Sequence, residues 1–198
     1  DGEAPDITFS WQDGSSDAAY TIAAGDDPGD TLTCTATATD DDGGTDPGSD
    51  PATVDNTAPV MGTVSVTPSS GKVGDTLTCS ASATDADGDA PDITYVWQDG
   101  STDAAYTIVE GDDPGDTLTC TATATDDDGG SDSGSDTATV DNTDPVIDSV
   151  SVSPSTGAVG DDLVCAATAS DEDGGSPTIT YAWSNGDTGN TTTIAASD

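Results

Sequence analysis

An all-β chain assembled from tandem copies of one unit is what the sequence predicts, on three observations. Trp11, Trp97 and Trp183 recur at intervals of 86 residues, as do Cys34 with Cys120 and Cys79 with Cys165. Apolar and polar residues alternate with period two, as where Leu77, Cys79, Ala81 and Ala83 interleave with Thr76, Thr78, Ser80 and Ser82; this is the pattern of a strand covered on one face. Clusters of Gly, Pro, Asp and Ser punctuate these runs at short intervals, and no stretch carries a helical period.

Each element follows from the same alternation. In the central region Val64 and Val66 mark a first strand, Leu77 to Ala83 a second, and Ile93, Tyr95 and Trp97 a third. Tyr106 and Ile108 mark a fourth, Leu118, Cys120, Ala122 and Ala124 a fifth, and Ala138 and Val140 a last. Composition argues the other way. Leu, Ile, Val and Phe total 25 of 198 residues against a formal charge of −39, which is the signature of a disordered polyanion. The regular pattern overrules it.

The period also sets the units. Residues 1–58 match 87–144 at 48 of 58 positions, and 59–112 match 145–198 at 28 of 54. The linker recurs as Asp55–Val60 and Asp141–Val146, each with a Pro that stops a strand. The expected organisation is a complete unit at 59–144, the C-terminal part of a unit at 1–58 and the N-terminal part of another at 145–198. Such a chain reads as a window on a longer array.

The cysteines and tryptophan choose among β folds. Cys79 on the second strand, Trp97 on the third and Cys120 on the penultimate one follow the immunoglobulin order, in which a disulfide crosses between two sheets beside the Trp. The predicted fold is therefore a row of immunoglobulin-like β-sandwiches joined end to end. Cys79 and Cys120 fall in inward register and are expected to pair, the alternative being buried free thiols. A core of Ala, Val and a few Leu is thin, and closing this loop contributes on the order of 3–4 kcal/mol. Cys34 and Cys165 would find their partners outside this window or on another chain. Disulfides imply an oxidising place, hence an extracellular or cell-surface location.

The run ASATDADGDAPDITYVWQDGST at 81–102, followed by DPGDTLTCTATATDDDGGSDS at 113–133, resembles the PKD (polycystic-kidney-disease) domain and related immunoglobulin-like repeats of bacterial and archaeal surface proteins. The acidic turn Asp85–Asp89, the Tyr95–Trp97 pair and the strand end Thr121–Gly130 carry the likeness, which extends over both flanking parts. The chain departs from the PKD pattern in its Cys pair and in having WQDG where WDFGDG is frequent. The resemblance implies stalks, adhesins, filaments or accessory modules of secreted enzymes, and calcium in some members.

The carboxylates suggest where an ion would sit. The inward register of the second strand continues to Asp85 and that of the fifth to Asp126, and both ends are expected at one pole of the sandwich. Asp87 and Asp89 follow the first, Asp127 and Asp128 the second, and the linker residues Asp55 and Asn56 lead in beside them. So many anions repel one another and raise their pKa values unless a cation fills the site. Ca²⁺ suits loop-borne hard oxygens. The second junction would use Asp141, Asn142, Asp171 and Asp173, and is expected to be weaker because Gly175 replaces Asp89 and Thr178 replaces Asp92. In the first part the corresponding ligands would be Asp1, Glu3, Asp40, Asp41 and Asp42. The competing reading is a solvated acidic surface that maintains solubility.

Composition narrows function further. With Lys72 the lone basic residue and no His, the chain lacks the basic footprint of nucleic-acid binding, and His-dependent zinc hydrolysis or nucleophilic catalysis has no residues to work with. No apolar run is long enough to insert in a membrane. The expectation is a non-enzymatic structural repeat protein, a filament, stalk or adhesin shaft stiffened by disulfides and Ca²⁺. Its partners would be neighbouring repeats and identical chains in a bundle. The alternative is a glycan- or polymer-binding module of a secreted hydrolase. That role needs exposed coplanar rings, whereas Trp97, Tyr95 and Tyr106 fall in inward register.

Overall fold

The structure, a computed structural model, describes residues 4–88 and 90–196. Among them are thirteen strands and no helix. The strands are β1 (Asp6–Ser10), β2 (Thr31–Thr39), β3 (Thr45–Thr53), β4 (Val60–Thr67), β5 (Ser70–Gly71), β6 (Thr76–Thr84) and β7 (Asp92–Trp97). Then come β8 (Ala105–Thr107), β9 (Thr117–Thr125), β10 (Ser131–Val140), β11 (Val146–Ser153), β12 (Asp162–Ser170) and β13 (Thr191–Thr193). They form four sheets, ordered β1-β2-β3, β4-β6-β8, β5-β10-β9-β7 and β11-β12-β13. β2 pairs antiparallel with β1 and β3, β12 with β11 and β13, and β6 with β8, while the two-residue β5 runs parallel to the end of β10.

Two compact units emerge. The first gathers the chain through Ser65 with Ser80–Val96 and Thr121–Ser135; Leu32, Val54, Ala122 and Ala124 are its buried apolar residues. Its β3 carries Pro47 and Pro51 opposite Thr37 and Thr33. Proline lacks the N–H a ladder needs, so it is tolerated because β3 is an edge strand.

The second gathers Val66–Cys79, Trp97–Cys120 and the chain from Asp136 onward. Its core is Val66, Leu77, Cys79, Trp97, Tyr106, Ile108, Leu118, Cys120, Ala138 and Val140. Cys79 on β6 and Cys120 on β9 are disulfide-bonded, which ties the sheet containing β6 to the sheet containing β9. Cys34 and Cys165 are free and half-buried. Trp97 is 1% exposed; its indole N–H donates to the Asp103 carbonyl at 3.0 Å, and its ring lies 5.1 Å from that of Tyr106. The buried aromatic thus keeps its one polar atom satisfied.

Candidate functional site

At the first linker, β6 runs out into Asp85 and β9 into Asp126, both half-buried. Asp85 Oδ1 accepts the Asp87 N–H at 2.9 Å and folds the loop back, while its Oδ2 is buried without a partner. Asp87 Oδ2 accepts the Thr57 N–H at 2.7 Å. Asp126 Oδ1 accepts the N–H groups of Asp128 at 3.0 Å and Gly130 at 2.7 Å, and its Oδ2 accepts the Asn56 amide at 3.1 Å. Linker residues Asn56 and Thr57 are therefore fastened by carboxylates from two loops. Gly130 permits the approach: a Cβ there would fall 2.8 Å from Ala58 Cα and 2.9 Å from the Asn56 amide nitrogen. Asp55, Asp127 and Asp128 are exposed beside this knot, and Asp89 lies outside the described residues.

The expectation that crowding raises these pKa values fails at Asp126. Desolvation pushes its carboxyl up, but the Asn56 amide and the N–H groups of Gly130 and Asp128 together hold it below the ordinary value. Hydrogen bonds to the charged form outweigh the other influences.

The second linker repeats the arrangement 86 residues on. Asp171 Oδ1 accepts the Asp173 N–H at 3.0 Å, and Asp173 Oδ2 accepts the Thr143 N–H at 2.6 Å. Here Asp173 is only 8% exposed, and both its Oδ1 and the Thr143 hydroxyl are buried without partners. Asp141 accepts the Ser70 hydroxyl at 2.8 Å, so its carboxylate serves β5. The Asn142 amide donates to the Thr143 carbonyl at 3.0 Å. A cleft of about 440 Å³ opens between the linker and the loop, lined by Asn142, Asp171, Asp173 and Gly174 and also by Glu110 and Asp113. Sequence reasoning missed Glu110 and Asp113. The signal lay in the repeat alignment, where Glu110 replaces Ala24 just where Gly175 replaces Asp89.

In the first part of the chain Asp40 Oδ1 accepts the N–H groups of Asp42 at 3.1 Å and Gly44 at 2.7 Å, while Asp41 and Asp42 are exposed. Asp1 and Glu3 lie outside the described residues. Among the described residues no three carboxylate or cysteine side chains converge into a ready metal cage. Asp13, Asp40, Asp85, Asp99, Asp126 and Asp171 each accept the N–H two residues on. The chain holds 37 Asp against 3 Glu, and because the shorter acid makes this turn, local geometry accounts for part of that preference, which does not by itself point to metal. The chemistry on offer is hard-oxygen donation around a tethered linker.

No protein-family model matches the chain, and no curated protein does. Among solved structures, one that matches is the crystal structure of a tetra-tandem repeat in the extending region of a large adhesion protein. It is 24% identical over 96% of this chain, with a TM-score of 0.36. The chain spans 55% of that structure's length.

Proposed function

We propose that this chain is a stretch of tandem immunoglobulin-like sandwiches serving as a mechanical shaft outside the cell, with Ca²⁺ stiffening the linkers between repeats. Catalysis has no part in this reading. The sandwich assignment is supported by the disulfide between β6 and β9, which belong to different sheets, with Trp97 buried on β7. The same disulfide favours an oxidising compartment.

The observation that carries the calcium reading is the buried, unpartnered carboxylate oxygen found at both linkers, Asp85 Oδ2 at the first and Asp173 Oδ1 at the second. An unpaired buried anion is costly, and a hard cation is the partner that would relieve it. Ca²⁺ accepts six to eight oxygens in adaptable geometry and can complete its shell with carbonyls and water. It would thus draw loop and linker carboxylates together without a preformed cage. The bonds to the Thr57 and Thr143 N–H groups already bring loop and linker together, which lowers the ordering cost an ion must meet to hold them there. The glycan-binding alternative is disfavoured, because burial of Trp97 and Tyr106 leaves no ring platform in the best-packed region.

Thermal unfolding of the whole chain in excess EDTA, then in millimolar Ca²⁺ at matched ionic strength, tests the proposal. The expected result is a rise of several degrees with Ca²⁺ that NaCl does not reproduce. Equal responses to the two salts would reduce the acid to surface charge.

A further inference from the structure

The strands on either side of the central region repeat its own. β1, β2 and β3 correspond to β7, β9 and β10, and β11, β12 and β13 to β4, β6 and β8, with the same order inside each sheet. Backbone partners recur as well. The Cys165 N–H donates to the Asn190 carbonyl at 2.8 Å, as that of Cys79 does to the Ala104 carbonyl. The Thr33 N–H donates to Gln12 Oε1 at 3.0 Å, as that of Thr119 does to Gln98 Oε1 at 2.7 Å. Cys165 is thus presented as Cys79 is, and Cys34 as Cys120 is. What differs is cover. Cys79 and Cys120 are buried and bonded, whereas Cys34 and Cys165 are half-buried and free. Val66 is 5% exposed and its counterpart Val152 44%; Ala138 is buried and its counterpart Ala52 exposed.

We infer that the open face of β11-β12-β13 is a docking surface for β1-β2-β3 of a second copy of this chain, with Cys165 of one copy bonding Cys34 of the other. This rests on the sandwich reading above and adds to it an interface between chains. The faces themselves name the occupant. Leu163, Cys165, Ala167 and Ala169 repeat the inward residues Leu77, Cys79, Ala81 and Ala83, which lie on the sheet bonded to that of β9. β2 has the sequence of β9 residue for residue, TLTCTATAT in both. A single thiol would carry none of this; two thiols in the registers of a bonded pair, each on a poorly covered face, do. Residues 173–198 repeat 1–26, so one copy of that stretch stands aside. β1 is paired with β2 along its length, whereas residues 177–181 join no strand, so β1 keeps the place beside β2 that β7 has beside β9. The two faces differ, so the contact is heterologous and each joined pair still offers one of each. Copies therefore add in series and do not stop at a closed dimer. A formal charge of −39 on each copy opposes their approach, and salt screens it. Closing the bond takes two protons and two electrons from the thiols; a small-molecule disulfide such as oxidised glutathione accepts them by exchange and leaves as two thiols.

Incubating the whole chain in molar NaCl and EDTA with a mixture of oxidised and reduced glutathione, then resolving it on non-reducing gels, tests the inference. The expected result is a ladder of dimers and larger species whose digests contain a Cys34–Cys165 bridged peptide. Cys34→Ala alone and Cys165→Ala alone should stay monomeric, while an equimolar mixture of the two variants should give dimer and nothing larger. Disulfide dimers from either variant alone would mean a symmetric contact of like thiols. A Cys34–Cys165 bond confined to monomer would mean closure within one chain, and no new bond would mean that the faces do not meet. Each of these three overturns the inference and leaves the sandwich standing if digests still contain the Cys79–Cys120 bridge. Loss of that bridge from the parent chain would take both readings down.

Discussion

Strands β6 and β12 carry the same alternation, with Leu77 and Cys79 matched by Leu163 and Cys165, yet they end in different surroundings. On β6, Leu77 and Cys79 are fully buried; on β12 their counterparts are half-buried. The contrast widens one strand over. Val66 on β4 is buried, whereas β11 is exposed along its whole length, with Val150 64% and Val152 44% exposed. Among the described residues the β11-β12-β13 sheet has three strands and buries few of its apolar side chains. Alternation therefore writes a strand's two faces, and a second sheet turns one of them into core.

The largest way to break this comparison is at the disulfide. Replacing Cys79 and Cys120 together by Ala should destabilise the central region by about 4 kcal/mol, because the bond restricts the unfolded chain over a separation of 41 residues. Cys34→Ala and Cys165→Ala should each cost less than about 0.5 kcal/mol, since neither thiol is bonded. Hydrogen exchange read on peptides from 76–84 and 162–170 assigns each loss to its region. Next in size is the leucine pair. Leu77→Ala empties a fully buried site and should cost about 3 kcal/mol, while Leu163→Ala at its half-buried place should cost under about 1 kcal/mol. Equal losses would mean that β12 is covered as well as β6.

A tyrosine pair sharpens the same contrast. Tyr106 donates its hydroxyl to Asp112 at 2.9 Å from a buried place, and Tyr20 makes the equivalent bond to Asp26 at 2.9 Å from a half-buried one. Burial, then the hydrogen bond and charge of Asp112, push the Tyr106 phenol up to about 12. A raised folded-state pKa adds stability that is fully present below the unfolded value of about 10 and is lost as pH rises through about 12. Tyr106→Phe should therefore cost about 1.5 kcal/mol at neutral pH and flatten the alkaline limb of the stability curve. Tyr20→Phe should cost under about 0.5 kcal/mol.

Much of this was legible in the sequence, for a physical reason. Period-two alternation located β6, β7, β9 and β10, and the inward register of Cys79 and Cys120 anticipated their bond. The two-residue β5 was not legible, because Ser70 and Gly71 are too few to show a period and their parallel pairing depends on where β10 ends. At the linkers, strand register leads to Asp85 and Asp126 and the acid-rich loops to Asp87 and Asp173, and of these Asp87, Asp126 and Asp173 bond linker groups. Glu110 was not legible, because it stands in a turn without periodicity and meets its loop only through the fold. Asp132 and Asp136 carry no signal of this kind either, and their role is set by the fold. Their carboxylates accept the N–H groups of Met61 and Val66, both at 2.8 Å, and so fasten β4 beside β10.

That fastening yields the smallest effect. Asp136 is held below the ordinary carboxylate value by the N–H of Val66 first and of Thr137 second, against a lesser opposing push from desolvation. A depressed folded-state pKa adds stability that is present above the unfolded value of about 4 and is lost as pH falls through the lower folded value. Asp126 titrates in the same sense. Stability should thus be flat from neutral pH down to about 5 and fall below about 4. Asp136→Asn removes one of these contributions and should make the acid limb shallower. Asp50 holds the equivalent place on β3 but is exposed and accepts no bond like that from Val66 among the described residues, so Asp50→Asn should leave the limb unchanged. Urea midpoints measured from pH 7 down to 3 separate the two variants. An equal response would mean that Asp136 acts through net charge, and that the bond to Val66 adds nothing to the hold on β4.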